Sequence, residues 1–157
     1  MTEPEERYRR LDDLAGRLEL AAPADPEMLD LVHALLEQLW ASHPDVSETD
    51  RIRFETAVIE ILANIVEHAF ALDGSAGEAA HVRRFDVSLG ATDEELLASF
   101  GDNGLPISLD LSDVTMPDEL AESGRGLALA TAALDDLSYE RVDGRNHWKL
   151  LCLRRAD

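Results

Sequence analysis

Apolar positions along the chain recur at helical spacing in four segments, and five shorter stretches read as strands. Tyr8, Leu11 and Leu14 stand among charges between Pro4 and Gly16 and predict a short amphipathic helix. Arg17 to Ala21 alternates polar and apolar, as a half-buried strand does. Asp25 and Pro26 then supply a cap and a first helical residue. The helix they open runs through Trp40 with Leu29, Val32, Leu36 and Leu39 on one face. Ser47 caps a longer helix to about Phe70, and Asp73 to Gly77 is a turn. Val82 to Gly90 and Glu94 to Gly101 form two strands around a short acidic turn. Leu105 to Ser123 has no firm period, contains Pro106 and Pro117, and predicts a long loop of the functional or disordered kind. Arg125 to about Asp136 is helical. Leu137 to Val142 and His147 to Arg154 close the chain as a hairpin around Asp143-Gly144-Arg145-Asn146. Segregated runs of helices and strands predict an α+β sandwich, with a mixed, mostly antiparallel sheet and helices on one face.

Composition narrows this picture more than it extends it. With 157 residues and 45% hydrophobic content, the chain is expected to be one domain with a real core. No apolar run approaches the ~20 residues of a membrane span. The charged N-terminus, with no apolar segment, leads to the expectation of no secretory signal, and the single cysteine, Cys152, excludes an intramolecular disulfide and a cysteine-based metal cluster. The expected compartment is the cytoplasm. A formal charge of −19 argues against direct contact with nucleic acid. It suits a basic protein partner, and it equally suits plain solubility. Lys149 is the only lysine, so a cation that meets a phosphate must be an arginine or a metal ion.

The long helix carries a polar line. Val58, Ile61, Leu62, Ile65, Val66 and Ala69 make one apolar stripe, and Glu60, Asn64, Glu67 and His68 lie on the opposite side. A solvated face explains that row on its own. Chemistry offers a second explanation. Asn64 is a poor interior helix former whose neutral oxygen suits Mg2+, an ion that keeps waters and takes few protein ligands. Glu60, one turn earlier, is placed to deprotonate an attacking hydroxyl. A late histidine such as His68 also serves simply as a dipole partner at a helix C-terminus.

Two glycine sites complete the pattern. Asp102-Asn-Gly104 leaves an apolar strand; it is a favoured turn, and its aspartate suits an adenine amino group while Gly104 lets a base lie close. Gly124-Arg-Gly126-Leu127 opens a helix, where unpaired N–H groups suit phosphate. No Gly-Lys-Ser/Thr follows, so this is not a P-loop. Leu129 fills the third glycine position of a dinucleotide fingerprint, which excludes that motif too.

Together these residues resemble the GHKL (histidine-kinase-like) ATPase superfamily, and within it the bacterial anti-sigma-factor serine/threonine kinases. Glu60-x-x-x-Asn64-x-x-x-His68 is similar to the family's asparagine box, Asp102-x-Gly104 to its first glycine box, and Ser123-Gly-Arg-Gly-Leu127 to its second. The resemblance covers about residues 17–155. It implies a Bergerat-type sandwich over 17–157 with an N-terminal helical extension at 1–16, binding ATP and Mg2+. It implies Glu60 as general base and Asn64 as the Mg2+ ligand. His68, Asp102, Gly104, Gly124, Arg125, Gly126 and Leu127 would line the nucleotide, under a lid spanning about 105–123. It also implies partners: a sigma factor and a STAS-type antagonist phosphorylated on serine or threonine, in a family where homodimers are frequent. Pro106 stands where the wider superfamily often has glycine, and the lid segment is rich in acids, with no base before Arg125.

Three functions are therefore compared. The first is an ATP-dependent kinase acting on an antagonist. The second is a nucleotide-binding partner-switch module that acts by contact alone, and the third is an acidic interaction domain without nucleotide. Glu60 favours the first over the second, and the three boxes favour either over the third.

Overall fold

The computed structural model describes residues 4–73, 83–104 and 122–155; the side chains of 68–73 and 122–125 fall outside that description. Among the described residues nine elements follow in the order α1 (Pro4–Asp13), β1 (Leu18–Pro23), α2 (Met28–Ser42), α3 (Glu48–Asp73), β2 (Arg84–Ala91), β3 (Glu95–Asp102), α4 (Glu122–Ala133), β4 (Asp136–Val142) and β5 (Arg145–Leu153). The five strands make one sheet in the order β1-β2-β3-β5-β4. Every neighbouring pair is antiparallel, so the sheet is more uniform than the mixed one expected.

Local chemistry explains the element ends. The Ser47 hydroxyl accepts from the Asp50 N–H at 3.1 Å, the N-cap expected for the long helix. Asp25 Oδ1 accepts from the Glu27 N–H at 2.9 Å, but α2 starts later, at Met28, so Asp25 caps the turn that leads into the helix. The β4–β5 turn is tight because Asp143 and Gly144 both adopt positive φ, 52° and 78°. Two successive left-handed residues match the twist of an antiparallel hairpin.

The two faces of the sheet are separated by the period of two along its strands. Leu96, Ala98 and Phe100 of β3, with Trp148, Leu150 and Cys152 of β5, enter the main core with α2, α3 and α4. The predicted stripe of α3 supplies Val58, Ile61, Leu62, Ile65 and Val66 to that core, all buried. Each such side chain contributes about 1.5–3 kcal/mol relative to exposure. Leu97 and Leu151, opposite one another in register, point the other way and cluster with Tyr8 and Leu11 of α1. Helices are thus not confined to one face: α2, α3 and α4 share one, and α1 covers part of the other. Charge draws it there. The fully buried Glu95 carboxylate receives Arg7, and Arg10 at 3.0 Å. Tyr8 donates to the Asp136 carboxylate at 2.6 Å. Gly90 leaves the room, since a Cβ there would lie 2.7 Å from the end methyls of both Leu11 and Leu14.

Candidate functional site

Asp102 is the last residue of β3 and lies two residues beyond Phe100, so it stands on the helix-bearing face at the end of the sheet. It is paired in register with Phe85 on one side and Asn146 on the other. Only 5% of its surface is exposed. Its two oxygens have different surroundings. Oδ1 accepts from the Gly104 N–H at 2.8 Å and from the Asn146 side-chain amide at 2.9 Å. Oδ2 is buried and, among the described residues, has no hydrogen-bond partner. A buried carboxylate oxygen without a donor is costly, and an incoming N–H would relieve that cost.

The loop after Asp102 is held on both sides. Asn103 Oδ1 accepts from the Arg84 N–H at 2.8 Å, and Arg83 donates to the Asn103 carbonyl at 2.8 Å. Arg141 donates to the Gly104 carbonyl at 2.9 Å. A Cβ on Gly104 would come within 2.8 Å of Asp102 Oδ1, so the glycine is what lets its N–H close on that carboxylate. Asn146, Tyr139 and Arg141 do not stand out in the sequence. Asn146 reads there as a turn residue, and only the register of β3 against β5 sets it opposite Asp102.

A second constellation lies between α3 and α4. Glu60 and Asn64 are half-buried on the polar side of α3, one turn apart, while Glu67 is exposed. A Cβ on Gly126 would lie 2.6 Å from Glu60 Oε2. The carboxylate therefore sits directly against the bare backbone of α4. The predicted helix start at Arg125 moves forward, because α4 begins at Glu122. Gly126 is then the fifth helical residue, beyond the four whose N–H groups lack intrahelical partners. Its visible contribution is the space it leaves for Glu60. Leu127 is buried in the main core and seats α4 there. The side chains of His68 and Arg125, and that of Ser123, lie outside the described residues, as does the segment 105–121. Gly124 belongs to the first turn of α4.

Among the described residues, no group of three or more His, Cys, Asp or Glu side chains is arranged to hold a metal ion. A divalent ion at Asn64 would take most of its ligands from phosphate and water, the coordination Mg2+ prefers. Both constellations thus fit a nucleotide: an unsatisfied acceptor for the base, and a carboxylate with a neutral oxygen one turn away for the phosphate end.

The family model described as the histidine kinase-like ATPase domain matches residues 22–151. The chain belongs to that family. The matched residues include both constellations and leave α1 outside. The chain is also similar to the serine-protein kinase RsbW of Bacillus licheniformis, with 28% identity over 140 residues, covering 83% of this chain and 81% of the relative. Two solved structures share the fold at 20% identity and a TM-score of 0.58. One holds the RsbU and RsbW domains of Rv1364c from Mycobacterium tuberculosis, where 90% of this chain is covered and it spans 33% of that longer one. The other is the SiaB–SiaC complex of Pseudomonas aeruginosa, covered 95% on both sides. Among the described residues, no helix is long and apolar enough to cross a membrane.

Proposed function

We propose that this chain binds ATP with Mg2+ and acts as an anti-sigma-factor serine/threonine kinase in a partner-switching pathway. In one state it holds a sigma factor. In the other it phosphorylates a small STAS-type antagonist protein. The observation that carries the nucleotide reading is Asp102: one oxygen doubly satisfied, the other buried and without a partner among the described residues, which suits a ligand bearing a donor such as the adenine amino group. Membership of the histidine kinase-like ATPase family supports ATP as that ligand. The similarity to RsbW, itself named a serine-protein kinase, supports phosphoryl transfer to a protein hydroxyl. SiaB, which shares the fold, is found in a complex with SiaC, and this supports a protein partner.

In this reading Glu60 accepts the proton of the attacking hydroxyl, held in place by α3 beneath it and by the bare Gly126 opposite. Asn64 offers its amide oxygen to the metal ion. Mg2+ when bound would neutralise charge on the phosphates. Gly124 and Arg125, in the first turn of α4, belong beside the phosphates, where N–H groups and a guanidinium favour negative charge. His68 would close the polar row of α3.

The test is an incubation of the chain with labelled ATP, Mg2+ and its captured partners. Glu60→Gln keeps shape and removes the base, so transfer should fall about 10²–10⁴-fold while ATP affinity changes little. Transfer at the wild-type rate would remove Glu60 from the chemistry. Tight ATP binding with no transfer to any captured partner would leave a contact-only switch.

A further inference from the structure

Residues of the β4–β5 hairpin and of the loop facing it form one connected polar group around Asp102. Asn146 is fully buried and donates through Nδ2 to Asp102 Oδ1 at 2.9 Å. An amide that donates on one side must present its oxygen on the other, and here that oxygen has two donors. Tyr139 donates its hydroxyl to Asn146 Oδ1, and Arg141 donates through Nη1 at 3.0 Å. The same Arg141 nitrogen reaches the Gly104 carbonyl at 2.9 Å, and its Nη2 reaches the Gly144 carbonyl at 3.2 Å. Tyr139 is itself fixed by its ring on Trp148, with centroids 4.7 Å apart.

We infer that the β4–β5 hairpin, through Tyr139, Arg141 and Asn146, is a positioning element that determines which base the site accepts. The two donors to Asn146 Oδ1 hold the amide in one orientation, because a flipped amide would set its NH2 against them. The held NH2 occupies Asp102 Oδ1 together with the Gly104 N–H. Only Oδ2 is then left to meet the base, as a pure acceptor. A base with an amino group at that point is bound, and one with a carbonyl is refused, because two acceptors would be buried against each other. Arg141 adds a second link, since its bond to the Gly104 carbonyl ties the turn of the hairpin to the loop the base must approach. None of these three residues needs to touch the nucleotide.

This inference rests on the nucleotide reading of Asp102, and the experiment separates the two. Binding of ATP and of inosine triphosphate, which carries a carbonyl in place of the adenine amino group, is measured by calorimetry with Mg2+ on the full chain. The wild type should prefer ATP by about tenfold or more. The double variant Tyr139→Phe/Arg141→Met frees the amide while keeping the ring stack and the arginine stem. Its preference should fall toward parity, through weaker ATP binding with inosine triphosphate unchanged or improved. Tyr139→Phe alone, the mildest change, should move the ratio in the same direction by a few fold, and Arg141→Lys should restore part of it. A general loss of structure would weaken both nucleotides together. Equal weakening in Tyr139→Phe, or an undiminished preference in a folded double variant, would overturn the positioning role while leaving Asp102 as the base contact. Binding of neither nucleotide by the wild type would overturn the nucleotide reading and this inference with it.

Discussion

Replacing Gly126 by alanine asks whether the contact between α3 and α4 serves the fold or the chemistry. The added Cβ would stand 2.6 Å from Glu60 Oε2 and 3.7 Å from its Cδ. The oxygen must retreat by about 0.8 Å to restore ordinary contact near 3.4 Å. Glu60 is half-buried at the end of a flexible side chain, so it yields before α4 does. Forcing its torsions off their minimum costs about 0.5–1.5 kcal/mol. Alanine in a helix interior is better than glycine by about 0.8–1 kcal/mol. The two nearly cancel, and urea unfolding should place Gly126→Ala within about 1 kcal/mol of the wild type. Transfer should respond quite differently, because a displacement approaching 1 Å in a catalytic group can cost up to about 10²-fold. The expected outcome is a folded variant whose phosphoryl transfer is roughly 10–100-fold slower. If the loss arises through Glu60, adding Gly126→Ala to Glu60→Gln should slow transfer no further. Unimpaired transfer by a folded Gly126→Ala, or a full extra loss in the Glu60→Gln background, would refute the reasoning.

Asp102→Asn should retain its bonds from Gly104 and Asn146 by turning its oxygen toward them, which leaves an NH2 facing the base. ATP affinity should then fall by about 1.5–3 kcal/mol in calorimetry, and an unchanged affinity would exclude this carboxylate from base recognition. Gly90→Ala drives a methyl group into Leu11 and Leu14 and should destabilise the fold by roughly 1–3 kcal/mol in urea unfolding; no loss would mean that α1 reseats freely. Burial pushes the Cys152 thiol up to about 11 from 9.0, and burial followed by the Asp136 carboxylate pushes the Tyr8 phenol above its ordinary 10.0. Both groups are neutral when protonated and keep their protons longer in the fold, so their stabilisation is complete below pH 9. It is lost as pH rises, first between 9 and 11 for the thiol. Melting temperatures across that window should fall less steeply in Cys152→Ala, and an identical slope would show that the thiol contributes nothing.

Much of the fold is legible in the chain because its signals are local. The apolar stripe of α3, the Ser47 cap and the Asp143-Gly144 turn each depend on residues a few positions apart, and each appears in the structure. The placement of α1 is not local. Leu96-Leu97 and Leu150-Leu151 show that β3 and β5 are apolar on both faces, but nothing nearby says what covers the second face. That depends on Arg7 meeting Glu95, 88 residues later. The candidate site divides in the same way. Asp102 and Gly104 are visible as a turn that carries a carboxylate at the end of a strand, and Glu60 and Asn64 as a polar row. Asn146 becomes part of the site only through strand register, and Gly126 exchanges its expected place at a helix start for one facing Glu60.

The position of α1 also sets a clock on biosynthesis. Its residues are made before the strands they pack on, and two of their partners come much later: Glu95 follows Arg7 by 88 residues, and Asp136 follows Tyr8 by 128. At roughly 5–20 residues per second, Arg7 waits about 4–18 s for Glu95. Leu151, which completes the cluster with Leu11, belongs to β5, which is made after the other four strands of the sheet. The second face of the sheet therefore closes only once β5 has been made, after much of the main core has had time to gather. Until then β3 carries an uncovered Leu97, and the protection of the nascent chain rests on how quickly a waiting helix finds its sheet.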